Sequence, residues 1–470
     1  MDHQADATEL EAIVTGGLGA TTAAQHVIIA GAGMAGLVAA RELKRAGHRV
    51  TLLEAQARVG GRVLTLREPF SEGQYAEAGA MRIPRAHNLT LAYVNAFGLP
   101  LTPFVTENMQ AMVHVNGVCQ RRQAFFTDPQ SFGLDPLDAE GPVYGAWDAA
   151  IRPLIRRLET EGWEGVTAEN DHYSMREFLE AQKWSESQIE IFGLITHMES
   201  LFESAFLEVL REEAGRWFSE VMTLPGGMDQ LPRAFLPDLE RDIRFGAKVW
   251  AISQDDTGVD VRFSSGGVNG TVHGDRLIVT LPFPVLRHIE VTPPFDRDKQ
   301  RAIRQLYYDQ SVKIFLQCRR RFWEEDDGIF GGATVTDLPI RAMYYPGHGR
   351  ESGRGVLLAS YTWAQDAERW ASLSEADRTR ECLENVAKIH PQVVEEFEVA
   401  ASHAWHLDPY TGGAFAMFQP GQQLLLHDDI TRPSGRIHFA GEHASLAHAW
   451  IQGAIESGLR AAREVHTAAN

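Results

Sequence analysis

The sequence predicts an α/β fold that opens on a βαβ unit and closes on a second strand–turn–helix unit. Two stretches carry that prediction. The first is VIIAGAGMAGLVAARELKRAGHRVTLLEAQARVGGR at residues 27–62. Its apolar run 27–30 reads as a buried strand, Gly31-Ala-Gly33-Met-Ala-Gly36 as a tight turn into a helix, and 50–53 as a second strand ending in Glu54. The second stretch is RIHFAGEHASLAHAWIQGAIESGLRAA at 436–462. There a short strand runs into the Gly441-Glu442 turn, and a helix follows with Ile451, Ala454, Ile455, Gly458, Leu459 and Ala462 on one face.

Each part of the opening unit has a mechanical purpose. Gly31 permits the sharp turn, Gly33 lets a pyrophosphate approach the backbone, and Gly36 lets the helix lie close on the sheet. The helix N-terminus offers free N–H groups and partial positive charge to phosphates. Glu54 stands where a carboxylate would accept hydrogen bonds from a ribose. Strand, glycines, helix, strand and acid in this order specify a Rossmann-like dinucleotide site. Gly60-Gly61-Arg62 adds a second flexible loop and a fixed cation past the same place. That extension resembles FAD-binding oxidases rather than NAD dehydrogenases.

Along the middle of the chain the pattern alternates. Residues 122–222 are helical in character, with one helix at 174–184 and a long amphipathic stretch at 186–210. The PGGMDQLP turn at 225–232 marks the return to strands. Residues 248–253 and 259–263 alternate like a meander, and 277–281 is a short, wholly apolar strand. Residues 311–317 and 356–361 are β-like and flank a loop-rich segment at 341–348, and a helix at 375–388 stops before Pro391.

Composition narrows the class. A length of 470 residues suits two or three domains. A net charge of −19 argues against nucleic acid or an anionic membrane as partner, since both would repel the chain. No stretch approaches the roughly 20 apolar residues that span a bilayer. Residues 1–25 lack a basic start and an apolar run, so they read as a loose leader rather than a signal peptide. Cys119, Cys318 and Cys382 are few and far apart, which suggests neither a disulfide framework nor a metal site and fits a cytoplasmic location.

Together, GAGMAGLVAARELKRAGHRVTLLEA, RVGGRV, AEAGAMRIP at 76–84, SVKIFL at 311–316 and the 436–462 stretch resemble the flavin-dependent L-amino acid oxidases of the flavin amine oxidase group. The resemblance covers about residues 25–466. It implies a discontinuous FAD-binding domain (26–64, 230–303, 431–470), a mixed-sheet substrate domain (65–121, 304–430) and a helical domain (122–229) after the leader. Implied cofactor contacts are Gly31, Gly33, Met34, Ala35, Gly36, Glu54 and Ala55, then Gly61, Arg62, Gly79, Ala80, Met81 and Arg82. Val249, Gly441, Glu442, Ala449, Trp450, Ile451 and Ala454 complete that set.

The resemblance also implies a reaction: Cα of an L-amino acid gives a hydride to FAD, oxygen becomes hydrogen peroxide, and the imine hydrolyses to a 2-oxo acid and ammonia. Arg82 would grip the substrate carboxylate, because a guanidinium fork matches both its oxygens. Tyr361 would add a hydrogen bond to it, and Lys313, inside an apolar strand, would hold a water beside the flavin. Trp450 and Phe415 would wall the side chain, the carbonyl of Ala449 would take the amino group, and Ala414 would leave FAD non-covalent, since some amine oxidases have a flavin-bonding cysteine there. Large neutral or aromatic L-amino acids are the expected substrates, and a homodimer the expected assembly. A monoamine or polyamine oxidase, an amino acid 2-monooxygenase and a non-catalytic FAD-binding protein are the rival readings.

Overall fold

The computed structural model of the chain describes residues 3–133 and 145–469; residues 134–144 of the expected helical region lie outside the described residues. Its organising element is a five-stranded sheet, ordered Ile243–Arg244, Arg49–Leu53, His26–Ala30, Arg276–Val279, Ile437–Phe439. Every pair in it is parallel. Val27, Ile28, Ile29, Ala30, Leu277, Ile278 and Val279 are all fully buried, the continuous apolar character of strands covered on both faces. Parallel pairing brings the ends of strands more than 400 residues apart to one edge, where open α/β sheets keep their binding crevice.

One face is covered by the helices Met34–Arg45 and Ile451–Ala469. The other carries the antiparallel meander Lys248–Gln254, Val259–Ser265 and Val268–Gly274, whose Val249, Val261 and Val272 share a core with Ile28 and Leu277.

A second, seven-stranded mixed sheet runs Phe397–Ala404, Ser311–Cys318, Gly355–Trp363, Ala342–Tyr344, Ala333–Thr336, Met112–Val115, Val118–Arg121. All eight residues of Ser311–Cys318 are buried. The third layer is helical, from Arg122–Thr127 to Phe206–Ala214, with capping boxes at Ser174 and Ser185 fixing two helix starts.

Three expectations need correction. Residues 3–16 of the expected loose leader form the helix His3–Gly16, with Leu10, Ile13 and Val14 buried beside Leu37 and Leu43. Those three residues fall within one turn, so the helix buries a short apolar face rather than a full stripe. The expected continuous helix over 186–210 is broken: Glu186–Thr196 ends where His197 turns left-handed (φ 59°), and a new helix begins at Phe206. Met198 N–H closes that end on the Gly193 carbonyl, while the His197 ring stacks on Trp363, so a tertiary anchor overrides the periodicity. Finally, the loop-rich segment 341–348 contains a strand, Ala342–Tyr344.

Candidate active site

A single cleft begins beyond the ends of the parallel strands and extends to the mixed sheet and the helical layer. It encloses about 2200 Å³ including its open mouth. Its lining runs without a break from the glycine turn at Gly31 and Gly33 to Lys313 and Tyr361, so the nucleotide end and the mixed sheet share one cleft.

The nucleotide end is made largely of backbone. Gly31 has φ 106°, a conformation that a side chain disfavours, and its N–H bonds the Leu53 carbonyl at 2.9 Å. A Cβ at Gly36 would collide with the carbonyl oxygen of Gly31, so the helix can start this close to the strand only without one. At Gly33 a Cβ would meet no protein atom within 4 Å. The backbone at Gly33 is therefore open to close approach by a ligand. Gly33 also gives no side-chain cap to the helix, which leaves first-turn N–H groups for an anion. Glu54 accepts Ala32 N–H and Gln56 N–H, each at 2.8 Å, one on each oxygen. Burial raises its pKa, with those N–H groups opposing.

A buried ion pair ties the two ends together. Arg62 Nη1 donates to Glu442 Oε1 at 2.8 Å and to the Ala414 carbonyl at 3.0 Å. Glu442 further accepts the N–H groups of Ala416 and Ala449, both at 3.1 Å. Burial pushes the Glu442 carboxyl up, but Arg62, His448 and His443 outweigh it and hold the group below its usual range. Its side chain is thus spent on fixing residues 414–416 and 449. Ala449 is held at φ 65°, which costs a non-glycine residue about 1–2 kcal/mol and sets the direction of its peptide groups.

At the far end Lys313 reaches into the cleft from Ser311–Cys318, an interior strand of the mixed sheet, and is only 2% exposed. Its Nζ donates to the carbonyls of Gly79 (2.7 Å) and Glu77 (3.0 Å) and lies 4.6 Å from the Tyr361 ring centroid. Burial pushes its pKa down to about 7, against the opposing pull of Glu77, while Arg82 adds to the drop. Tyr361 pairs directly opposite Lys313, and Trp363, two residues on, faces the same cleft. Arg82 stands over Phe218 with its guanidinium carbon 5.1 Å from the ring centroid. Among the described residues it has no hydrogen-bond or carboxylate partner.

Every residue expected at the site lines this cleft except Gly36, which sits behind the wall as a packing glycine. Sequence reasoning missed Glu208, Glu212, Trp217 and Phe218 from the helical layer, and Trp363 and His448. The one available signal was the pair Trp217-Phe218, aromatics beyond the reach of any periodic helix face.

The family described as flavin containing amine oxidoreductase matches residues 34–466. The YobN protein of Bacillus subtilis (strain 168) is 40% identical over 468 residues, covering 97% of each chain. An L-amino-acid oxidase of Siganus canaliculatus is 35% identical, covering 98% of this chain and 89% of its own. The solved cyclohexylamine oxidase from Brevibacterium oxydans IH-35A shares the fold with a TM-score of 0.74 at 20% identity, covering 95% of this chain and 98% of its own. With its glycine cradle, its buried arginine–glutamate tie and a family match across most of its length, the chain belongs to the flavin containing amine oxidoreductases.

Proposed function

We propose that the protein is an FAD-dependent L-amino acid oxidase, converting L-amino acids and oxygen to 2-oxo acids, ammonia and hydrogen peroxide. The observation that carries this reading is Arg82, a guanidinium lining the cleft that forms no ion pair or hydrogen bond among the described residues. An amine oxidase acting on substrates without a carboxylate would have no use for it.

Bound FAD supplies two-electron oxidation of the Cα–N bond and is reoxidised by oxygen. The chain supplies orientation. Arg82 pairs with the α-carboxylate and the Tyr361 hydroxyl donates a further hydrogen bond to it. The strained Ala449 carbonyl receives the amino group, and Trp450 and Phe415 hold the side chain. Lys313, which donates to two backbone carbonyls and makes only a long 3.7 Å contact with the Met81 sulfur, would hold a water beside the flavin. Ala414 offers no nucleophile, so FAD is held without a covalent bond. Residues 26–64, 230–303 and 431–470 would form the FAD domain, 65–121 and 304–430 the substrate domain, and 122–229 the helical domain. No described helix is long and apolar enough to cross a membrane, and all three cysteines are unpaired. A cytoplasmic homodimer belongs to the same proposal.

The test is product analysis across the twenty L-amino acids, several D-amino acids and simple amines. Peroxide, ammonia and 2-oxo acid in equal amounts from L-amino acids alone are expected. Equal turnover of amines, or an amide with carbon dioxide, would overturn the reading.

A further inference from the structure

The helix Phe206–Ala214 places Glu208 and Glu212 one turn apart, and both line the cleft. Their surroundings differ. Glu208 is fully engaged: it accepts His448 Nδ1 at 2.8 Å and Phe418 N–H at 2.9 Å, with Arg211 3.6 Å away. Glu212 is engaged on one side only. Its Oε1 accepts the Trp450 indole N–H at 2.7 Å, and its Oε2 has no hydrogen-bond partner among the described residues.

The walls around this carboxylate are aromatic. The Trp450 ring contacts His87, Trp217 and Phe218 edge-on, with centroids 5.0, 5.8 and 5.6 Å away. Burial holds the His87 imidazole down to about 3, so it stays neutral and offers Glu212 no counter-charge. Arg82 is close enough to be felt by Glu212 but does not form an ion pair with it. Glu212 is half-buried: burial pushes its carboxyl up to about 7 against the pull of the Trp450 indole and Arg82, and the rings packed on Trp450 offer aromatic faces that could stabilise a cation beside it.

We propose that Glu212 sets side-chain specificity: its free Oε2 receives the terminal ammonium or guanidinium of a cationic L-amino acid whose α-carboxylate lies on Arg82. This rests on the L-amino acid reading and moves the expected preference from neutral to basic side chains. The cleft then presents opposite charges to the two ends of one substrate. The aromatic rings between them grip the aliphatic stem, and the Trp450 indole holds the carboxylate in place.

The experiment measures kcat/KM of the purified holoenzyme for L-lysine and for L-norleucine, which has the same chain without the ammonium. Wild type is expected to favour L-lysine. Glu212→Gln keeps an oxygen for the Trp450 indole but loses the charge, so the lysine-to-norleucine ratio should fall about a hundredfold, with flavin spectrum and Tm retained as controls for folding. A wild-type preference for norleucine, or a ratio that stays within about threefold in the variant, would overturn the proposal. Failure of wild type to oxidise any L-amino acid, with 1,5-diaminopentane oxidised instead, would overturn the underlying reading and this proposal with it.

Discussion

The two ends of the cleft are built on different principles. The nucleotide end is a backbone structure: glycines without Cβ atoms, free helix N–H groups, and Glu54 held by two neighbouring amides. The substrate end is a side-chain structure, in which Arg82, Glu212, Lys313, Tyr361 and Trp450 converge from five separate stretches of chain. The first recognises a feature shared by many ligands and depends on close approach. The second depends on charged and aromatic side chains set in a half-buried cleft, and it determines which molecule reacts. Damage at one end should therefore cost the cofactor, and damage at the other should cost turnover while the protein stays yellow.

The largest effect should come from Arg82→Ala. Two charge-assisted hydrogen bonds worth about 1.5–3 kcal/mol each would be lost, so kcat/KM should fall about a hundred- to ten-thousandfold with bound flavin unchanged. Steady-state peroxide release and the absorbance spectrum check both halves. Gly36→Ala tests the opposite end. Its Cβ would strike the Gly31 carbonyl, and overpacking of this kind costs about 1–3 kcal/mol. The expected result is a lower Tm and weak FAD retention, with turnover restored by excess FAD. A Gly36→Ala protein that keeps its flavin but turns over slowly would erase the distinction between the two ends.

Lys313→Met should keep the flavin and slow turnover about a hundredfold, the lower end for removing one positioned proton-transfer group. The same variant should change stability in a defined direction. Lys313 has its folded pKa pushed down to about 7, so between there and its unfolded value near 10.4 the unfolded chain binds the extra proton. Its contribution is therefore most favourable at high pH and declines as pH falls towards 7. Denaturant titrations should show that slope in wild type, and a shallower one in the variant. The smallest effect is expected at Ala449, where glycine would relieve the left-handed backbone. Ala449→Gly should raise stability by up to about 1 kcal/mol, because the greater freedom of unfolded glycine offsets part of the relief.

How much of this the sequence revealed follows the same division. The cradle is local: strand, turn, helix and acid lie within 36 consecutive residues, so spacing alone declared it. Lys313 was visible as a charge inside an apolar strand, and Arg82 became visible only through the GAMRIP motif. Glu212 gave no such signal. In the sequence it is one acid in a row of charges, LREEAGR, and only folding shows that its neighbour Glu208 is paired while it is not. The break at His197 was hidden for a related reason, since the ring of Trp363 that stacks there lies 166 residues away. The helix His3–Gly16 carries only a faint signal in the sequence, three apolar residues within one turn at Leu10, Ile13 and Val14.

The central claim is that an unpaired guanidinium selects a carboxylate-bearing substrate. Mixing the holoenzyme without oxygen with an L-amino acid, and separately with the amine left by its decarboxylation, tests this most directly. The flavin should bleach with the amino acid and stay yellow with the amine. Equal bleaching by both would contradict the account.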